Sequence, residues 1–135
     1  MTNPSDSAKQ ILIVDDDADT CEMIRYVLEQ SGWEVTTAGT IADALRLAET
    51  RWFDLYLLDN WLPDGAGIDL CKHFSALHPA SPILFCSGAA QASDIQAARS
   101  AGAAEYLVKP CDPDELRNII LRLFSKKDRD RLKSQ

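Results

Sequence analysis

The chain lacks a C-x-x-C pair, a G-x-G-x-x-G or Walker A run, and any apolar stretch longer than a strand. These absences speak against disulfides or a zinc site, the usual glycine-rich nucleotide cradles and a membrane-spanning helix. The first ten residues, MTNPSDSAKQ, carry no apolar core of a signal peptide, so neither leader nor span is expected and the protein is assigned to the cytoplasm. A basic excess is also missing: 14 Lys and Arg face 21 Asp and Glu, for a formal net charge of -7. Direct nucleic-acid binding, which depends on a basic footprint, is not expected. The two histidines, His73 and His78, read as surface residues near a helix rather than ligands. Four scattered cysteines, Cys21, Cys71, Cys86 and Cys111, each sit in or beside an apolar segment and are expected to be reduced, buried thiols.

What is present is an ordinary globular mix, 46% hydrophobic and 26% charged over 135 residues, enough for one domain with a real core. Strand-like and helix-like segments alternate along it. ILIV at 11–14 has no polar alternation, as a strand covered on both faces requires. Cys21, Ile24, Val27 and Leu28 then recur at helical spacing, and Ser31-Gly32 stops that helix. EVTTA at 34–38 alternates and suits an edge strand, and Thr40 precedes a helix with Ile41, Ala44, Leu45 and Ala48 on one face. DLYLL (54–58), PILFC (82–86) and EYLV (105–108) read as three further strands. Between and after them lie a helix with Ile68, Cys71, Phe74 and Leu77, an alanine-rich helix over 93–102, and a final stripe of Leu116, Ile119, Ile120, Leu123 and Phe124. Five βα units imply a doubly wound α/β fold with a parallel sheet. Residues 1–9 are expected to be disordered, 10–125 to form the domain, and 126–135, KKDRDRLKSQ, to be a basic tail, a frayed helix end or linker.

In an open parallel sheet, chemistry gathers outside the carboxyl ends of the strands. Here Asp15-Asp16-Asp17 follows the first strand, Asp59 the third, Ser87-Gly88 the fourth and Lys109-Pro110 the fifth. Each group has an ordinary explanation. Asp16 or Asp17 could cap the first helix, Ser87 could be a loop hydroxyl, and Lys109 could simply close a strand before proline. Their conjunction carries the weight. Several carboxylates brought together need a cation or a proton to coexist, and a hard divalent ion such as magnesium meets that need with oxygen ligands.

The stretches ILIVDDD, LYLLDNWLP, ILFCSG and AEYLVKP, in that order and spacing, closely resemble the CheY-like receiver domain of bacterial two-component response regulators over about residues 10–125. The resemblance implies a flavodoxin-like (βα)5 fold with strand order 2-1-3-4-5 and a cis peptide at Lys109-Pro110. It implies Asp59 as phosphoacceptor, Asp15 and Asp16 as the acidic pair for Mg²⁺, and the backbone carbonyl of Trp61 as a further ligand. Ser87 and Lys109 match the phosphoryl-binding hydroxyl and lysine, and Ser87 and Tyr106 the switch pair, with Tyr106 turning inward once Ser87 is drawn to a phosphoryl group. The implied partners are a sensor histidine kinase or histidine phosphotransfer protein. Readout is implied at the face of the fourth helix, fifth strand and fifth helix, toward an effector domain, a downstream protein or a second copy in a homodimer. Such a protein acts only on its own phosphorylation state.

Three positions depart from the commonest pattern. Ser87 stands where threonine is frequent, and Asp64-Gly65-Ala66 alters the turn before Gly67. Trp61, two residues past Asp59, could shield the phosphoryl group and slow its loss. Two other classes share parts of this pattern. A docking module independent of phosphorylation does not call for the intact set of acidic pair, acceptor, hydroxyl and lysine. A haloacid-dehalogenase-type hydrolase wants D-x-D, where this chain has Asp59-Asn60-Trp61.

Overall fold

The computed structural model describes residues 8–133. Five parallel strands form one sheet in the order β2-β1-β3-β6-β7. They are β1 (Gln10–Val14), β2 (Glu34–Ala38), β3 (Leu55–Leu58), β6 (Ile83–Ser87) and β7 (Glu105–Val108). This is the expected 2-1-3-4-5 order once a two-residue hairpin, β4 (Trp61–Leu62) and β5 (Gly65–Ala66), is counted separately. The helices are α1 (Ala18–Glu29), α2 (Ile41–Thr50), α3 (Gly67–Leu77), α4 (Ala92–Ser100) and α5 (Pro113–Lys133).

Alternation along β1 divides the core into two layers. Leu12 and Val14 point to one side with Ala44, Ala48, Phe74 and Ala98 of α2, α3 and α4. Ile11 and Ile13 point to the other with Cys21, Ile24 and Leu28 of α1 and Leu116, Ile120 and Phe124 of α5. A slip of one residue would exchange the two sets, so the register Ile11↔Leu55 to Val14↔Leu58 is strongly specified. The predicted stripes hold with one exception, Leu77, which is exposed at the end of α3.

Residues 1–7 of the segment expected to be disordered lie outside the described residues, whereas the Lys9 carbonyl accepts a hydrogen bond from the Glu34 amide at 2.9 Å. The last helix runs to Lys133, into the segment read as a frayed helix end or linker, and Lys127 there reaches Asp54 at 3.7 Å. The cysteine expectation is half corrected. Cys21 and Cys71 are buried free thiols, but Cys86 and Cys111 are joined in a disulfide. Strand and loop bring together two residues 25 apart in sequence, a pairing that no short cysteine motif announces. His78 is also more than a surface residue: its Nδ1 lies 2.7 Å from the buried Tyr56 hydroxyl.

Candidate functional site

The sheet's own ladder positions the rim. The Asp15 amide donates to the Ala38 carbonyl, the Asp59 amide to Val14 and the Lys109 amide to Ser87, at 3.0, 2.9 and 2.8 Å. Each group therefore sits one residue past a strand end yet remains tied to the neighbouring strand, which is more rigid support than a loop provides. Asp15, Asp59 and Ser87 are buried, whereas Asp16 is exposed. Asp17 accepts from the amides of Asp19 and Thr20 and is the N-cap of α1, so one of the three aspartates has the structural role and the other two face the rim.

Carboxylate oxygens of Asp15, Asp16 and Asp59 lie within 4.8 Å of one another. The Lys109 ammonium enters the same cluster, with Nζ 2.7 Å from Asp15 Oδ2 and 3.2 Å from Asp59 Oδ2. Burial alone would pull the lysine down, but the bonds and charges of Asp15 and Asp59 outweigh it and raise its pKa. Three carboxylates against one ammonium leave two negative charges in a small space. The donor set is all oxygen and underneutralised, which fits a hard divalent cation.

On the other side of the rim, the Ser87 hydroxyl accepts from the Ala89 amide at 3.2 Å. Tyr106 is buried, its ring stacked on Phe85 with centroids 5.6 Å apart, and its hydroxyl donates to the Ala89 carbonyl at 2.6 Å. Burial raises the phenol's pKa, with the Ser87 hydroxyl opposing. Tyr106 thus lies inward. The peptide Lys109-Pro110 is cis, as the resemblance implied. Trp61 opens the β4–β5 hairpin with a mostly exposed side chain.

Three contributors escaped the sequence reading. Gly67 approaches so closely that a β-carbon would collide with the Asp59 carbonyl oxygen, and its amide donates to the Asn60 carbonyl at 2.6 Å. Asp64 sends both carboxylate oxygens to α2, accepting from Ile41 and Ala42 amides at 2.8 and 3.0 Å. Asn60 is buried beside Asp59, and its Oδ1 is the one buried side-chain polar atom without a hydrogen-bond partner among the described residues. Gly67 and Asp64 carried a signal only as turn residues, and Asn60 carried none.

The response regulator receiver domain family matches residues 11–121, which include every rim residue named above. The chain belongs to that family. As a receiver domain it is 36% identical over 117 residues to the alginate biosynthesis transcriptional regulatory protein AlgB of Pseudomonas putida, covering 87% of this chain and 26% of that protein. It is 37% identical over 108 residues to the alkaline phosphatase synthesis transcriptional regulatory protein PhoP of Bacillus subtilis, covering 80% and 45%. The receiver therefore spans less than half the length of these curated relatives. Among solved structures, a CheY-like response regulator receiver domain protein of Methanospirillum hungatei superimposes with a TM-score of 0.89 at 32% identity, covering 92% of this chain and 99% of that one. This receiver domain belongs to two-component response regulators, and none of its described helices is long and apolar enough to cross a membrane.

Proposed function

We propose that this receiver takes a phosphoryl group from a phosphohistidine, on a sensor histidine kinase or histidine phosphotransfer protein, onto a carboxylate oxygen of Asp59. The observation that carries the reading is the convergence of Asp59, Asp15 and Lys109 within hydrogen-bond reach at one strand-end rim. An Asp59 oxygen attacks phosphorus, the phosphorus–nitrogen bond to the partner's histidine breaks, and an acyl phosphate results. Lys109 moves from the carboxylates to a phosphoryl oxygen, where a compact ammonium replaces lost solvation. The Ser87 hydroxyl, which here accepts from Ala89, supplies a donor to a second oxygen. Asp15, Asp16, Asp59 and the Trp61 carbonyl would hold Mg²⁺, which when bound neutralises developing charge on the phosphoryl group. The protein catalyses only changes of its own phosphorylation state.

Tyr106 and Ser87 share Ala89 as a hydrogen-bond partner, so a phosphoryl group that recruits Ser87 disturbs the same segment that anchors the tyrosine. That couples the rim to α4, β7 and α5. This face would signal to an effector domain, a downstream protein or a second copy. The transcriptional roles in the relatives' names make transcription a natural output, reached through a partner or effector because the net charge of -7 disfavours direct nucleic-acid contact. A cytoplasmic setting follows from such partners.

Intact mass after incubation with Mg²⁺ and a small phosphodonor tests this reading. Wild type should gain one phosphoryl group and Asp59→Asn none. Absence of any gain in wild type, while a control receiver is modified, would indicate a docking module instead. Trp61→Asn, which removes an exposed ring two residues from the acceptor, should shorten the phosphorylated lifetime; an unchanged or longer lifetime would show that the indole does not shield the group.

A further inference from the structure

The four cysteines fall into two classes. Cys21 and Cys71 are buried, and desolvation pushes both thiols up to about 11, with Asp15 and Asp17 adding to the effect at Cys21. They hold almost no thiolate at neutral pH and are poor partners for exchange. Cys86 and Cys111 are bonded to each other at the reacting rim. Cys86 immediately precedes Ser87 on β6, and Cys111 follows Lys109 by two residues. The bond therefore ties the strand that carries the rim hydroxyl to the segment that carries its ammonium.

Apart from the disulfide, hydrogen bonds among the described residues tie this segment to the sheet only through Lys109: its amide donates to Ser87 and its ammonium to Asp15 and Asp59. Pro110 has no amide to give, and α5 begins with a second proline, Pro113. Asp112 is committed to α5: its carbonyl accepts from Leu116 at 2.9 Å and its carboxylate from Asp114 at 3.1 Å. Beyond the Lys109 amide, the disulfide is what fastens this stretch to β6.

The bond is also reachable. Cys111 and Cys86 both line a cleft of about 350 Å³ with Thr20, Met23, Lys109 and Pro110, and of the two Cys111 is partly exposed while Cys86 is 3% exposed. An attacking thiolate meets the more exposed Cys111 sulfur first.

We propose that Cys86–Cys111 is a reversible thiol–disulfide site, reduced by a dithiol through this cleft, that sets the order of residues 109–112 and through it the rate of phosphoryl uptake. The last step rests on the roles proposed above for Asp59 and Lys109. One thiolate of the dithiol attacks Cys111 Sγ, breaking the protein disulfide and releasing Cys86 as a thiolate that takes a proton. The second thiolate attacks the reagent's sulfur in the mixed disulfide, forming the reagent's own disulfide and releasing Cys111, which is protonated in turn. The dithiol loses two electrons and the protein gains them. Reduction then frees the segment after Lys109, and a less preorganised ammonium stabilises the transferring phosphoryl group less well.

The test compares the oxidised chain with the same chain treated with dithiothreitol, together with Cys111→Ser. Reduction of the folded chain should expose Cys111 to an alkylating reagent while Cys21 and Cys71 stay unlabelled. Hydrogen exchange of a peptide covering 109–112 should quicken. Phosphoryl uptake from a small phosphodonor with Mg²⁺ should slow by about threefold or more, in keeping with the sensitivity of catalysis to positioning. Cys111→Ser should match the reduced chain and ignore dithiothreitol. Resistance of the bond in the folded chain, unchanged exchange in 109–112, an unchanged uptake rate, or a Cys111→Ser variant that still responds to reductant would each overturn the proposal. Failure of both forms to take up phosphoryl, with exchange still responding, would instead overturn the assigned roles of Asp59 and Lys109, and with them the last step alone.

Discussion

Gly67 shows how one residue without a side chain holds the Asp59 peptide in place. It begins α3 with its amide on the Asn60 carbonyl, and the space its β-carbon would need is already filled by the Asp59 carbonyl oxygen. The obstacle is backbone, which cannot rotate away as a flexible side chain can. Gly67→Ala must therefore displace the Asp59 peptide or the start of α3. Overpacking of this kind costs about 1–3 kcal/mol, so urea unfolding should show the loss as a lower midpoint. The same displacement moves Asp59 relative to Lys109 and should slow phosphoryl uptake. A variant with wild-type midpoint and uptake would show that the approach relaxes without consequence.

Between elements, the link that matters most to the loop after Asp59 is the one from Asp64 to α2. The hairpin β4–β5 turns at Pro63-Asp64, and the Asp64 carboxylate accepts from the first two amides of α2 while Thr40 accepts from Asp43. Two residues from different elements thus satisfy one helix start, and the negative charge complements its dipole. The bonds from Ile41 and Ala42 hold the Asp64 pKa below the ordinary carboxylate value of 3.8. A depressed folded pKa means that the unfolded chain binds the proton more tightly. The contribution to stability is full above the unfolded value and is lost as pH falls through the folded one. Asp64→Asn should therefore lower the melting temperature near neutrality, and the gap to wild type should close in strong acid. A gap independent of pH would assign the effect to something other than charge. This link also marks the reach of sequence reading. Runs such as ILIV and EYLV and the stripe ending at Phe124 announced the sheet and helices because burial and period coincide in them. Asp15, Asp59, Ser87 and Lys109 could be placed together because strand ends in a parallel sheet converge. The hairpin is too short to show a period. The Asp64 bonds to α2 and the Cys86–Cys111 bond depend on where separate segments meet in space.

At the scale of the whole molecule, the end opposite the rim is closed by the length of α5. Past Phe124 the helix carries Lys127 under the sheet, 3.7 Å from Asp54 and over the ring of Trp52. Asp54 also accepts from the Gln10 amide at 2.8 Å and the Trp52 indole at 3.2 Å, so one carboxylate gathers the start of β1, the approach to β3 and the last helix. The two ends of this ion pair are not equivalent. Burial pulls the Lys127 pKa below the ordinary lysine value, and attraction to Asp54 does not recover it while Lys9 repels. The charged lysine is thus disfavoured in the fold at neutral pH, a cost relieved as pH rises through the depressed value. Replacing it by a flexible apolar chain keeps the contact with Trp52 and removes the cost. Lys127→Met should leave stability within about 0.5 kcal/mol of wild type or raise it. Asp54→Ala should cost about 1–3 kcal/mol, because it leaves the Gln10 amide and the Trp52 indole without their acceptor. Thermal unfolding of the two variants separates the cases: a Lys127→Met loss as large as that of Asp54→Ala would mean that the ion pair itself, rather than the hydrogen bonds to Asp54, closes this end of the sheet.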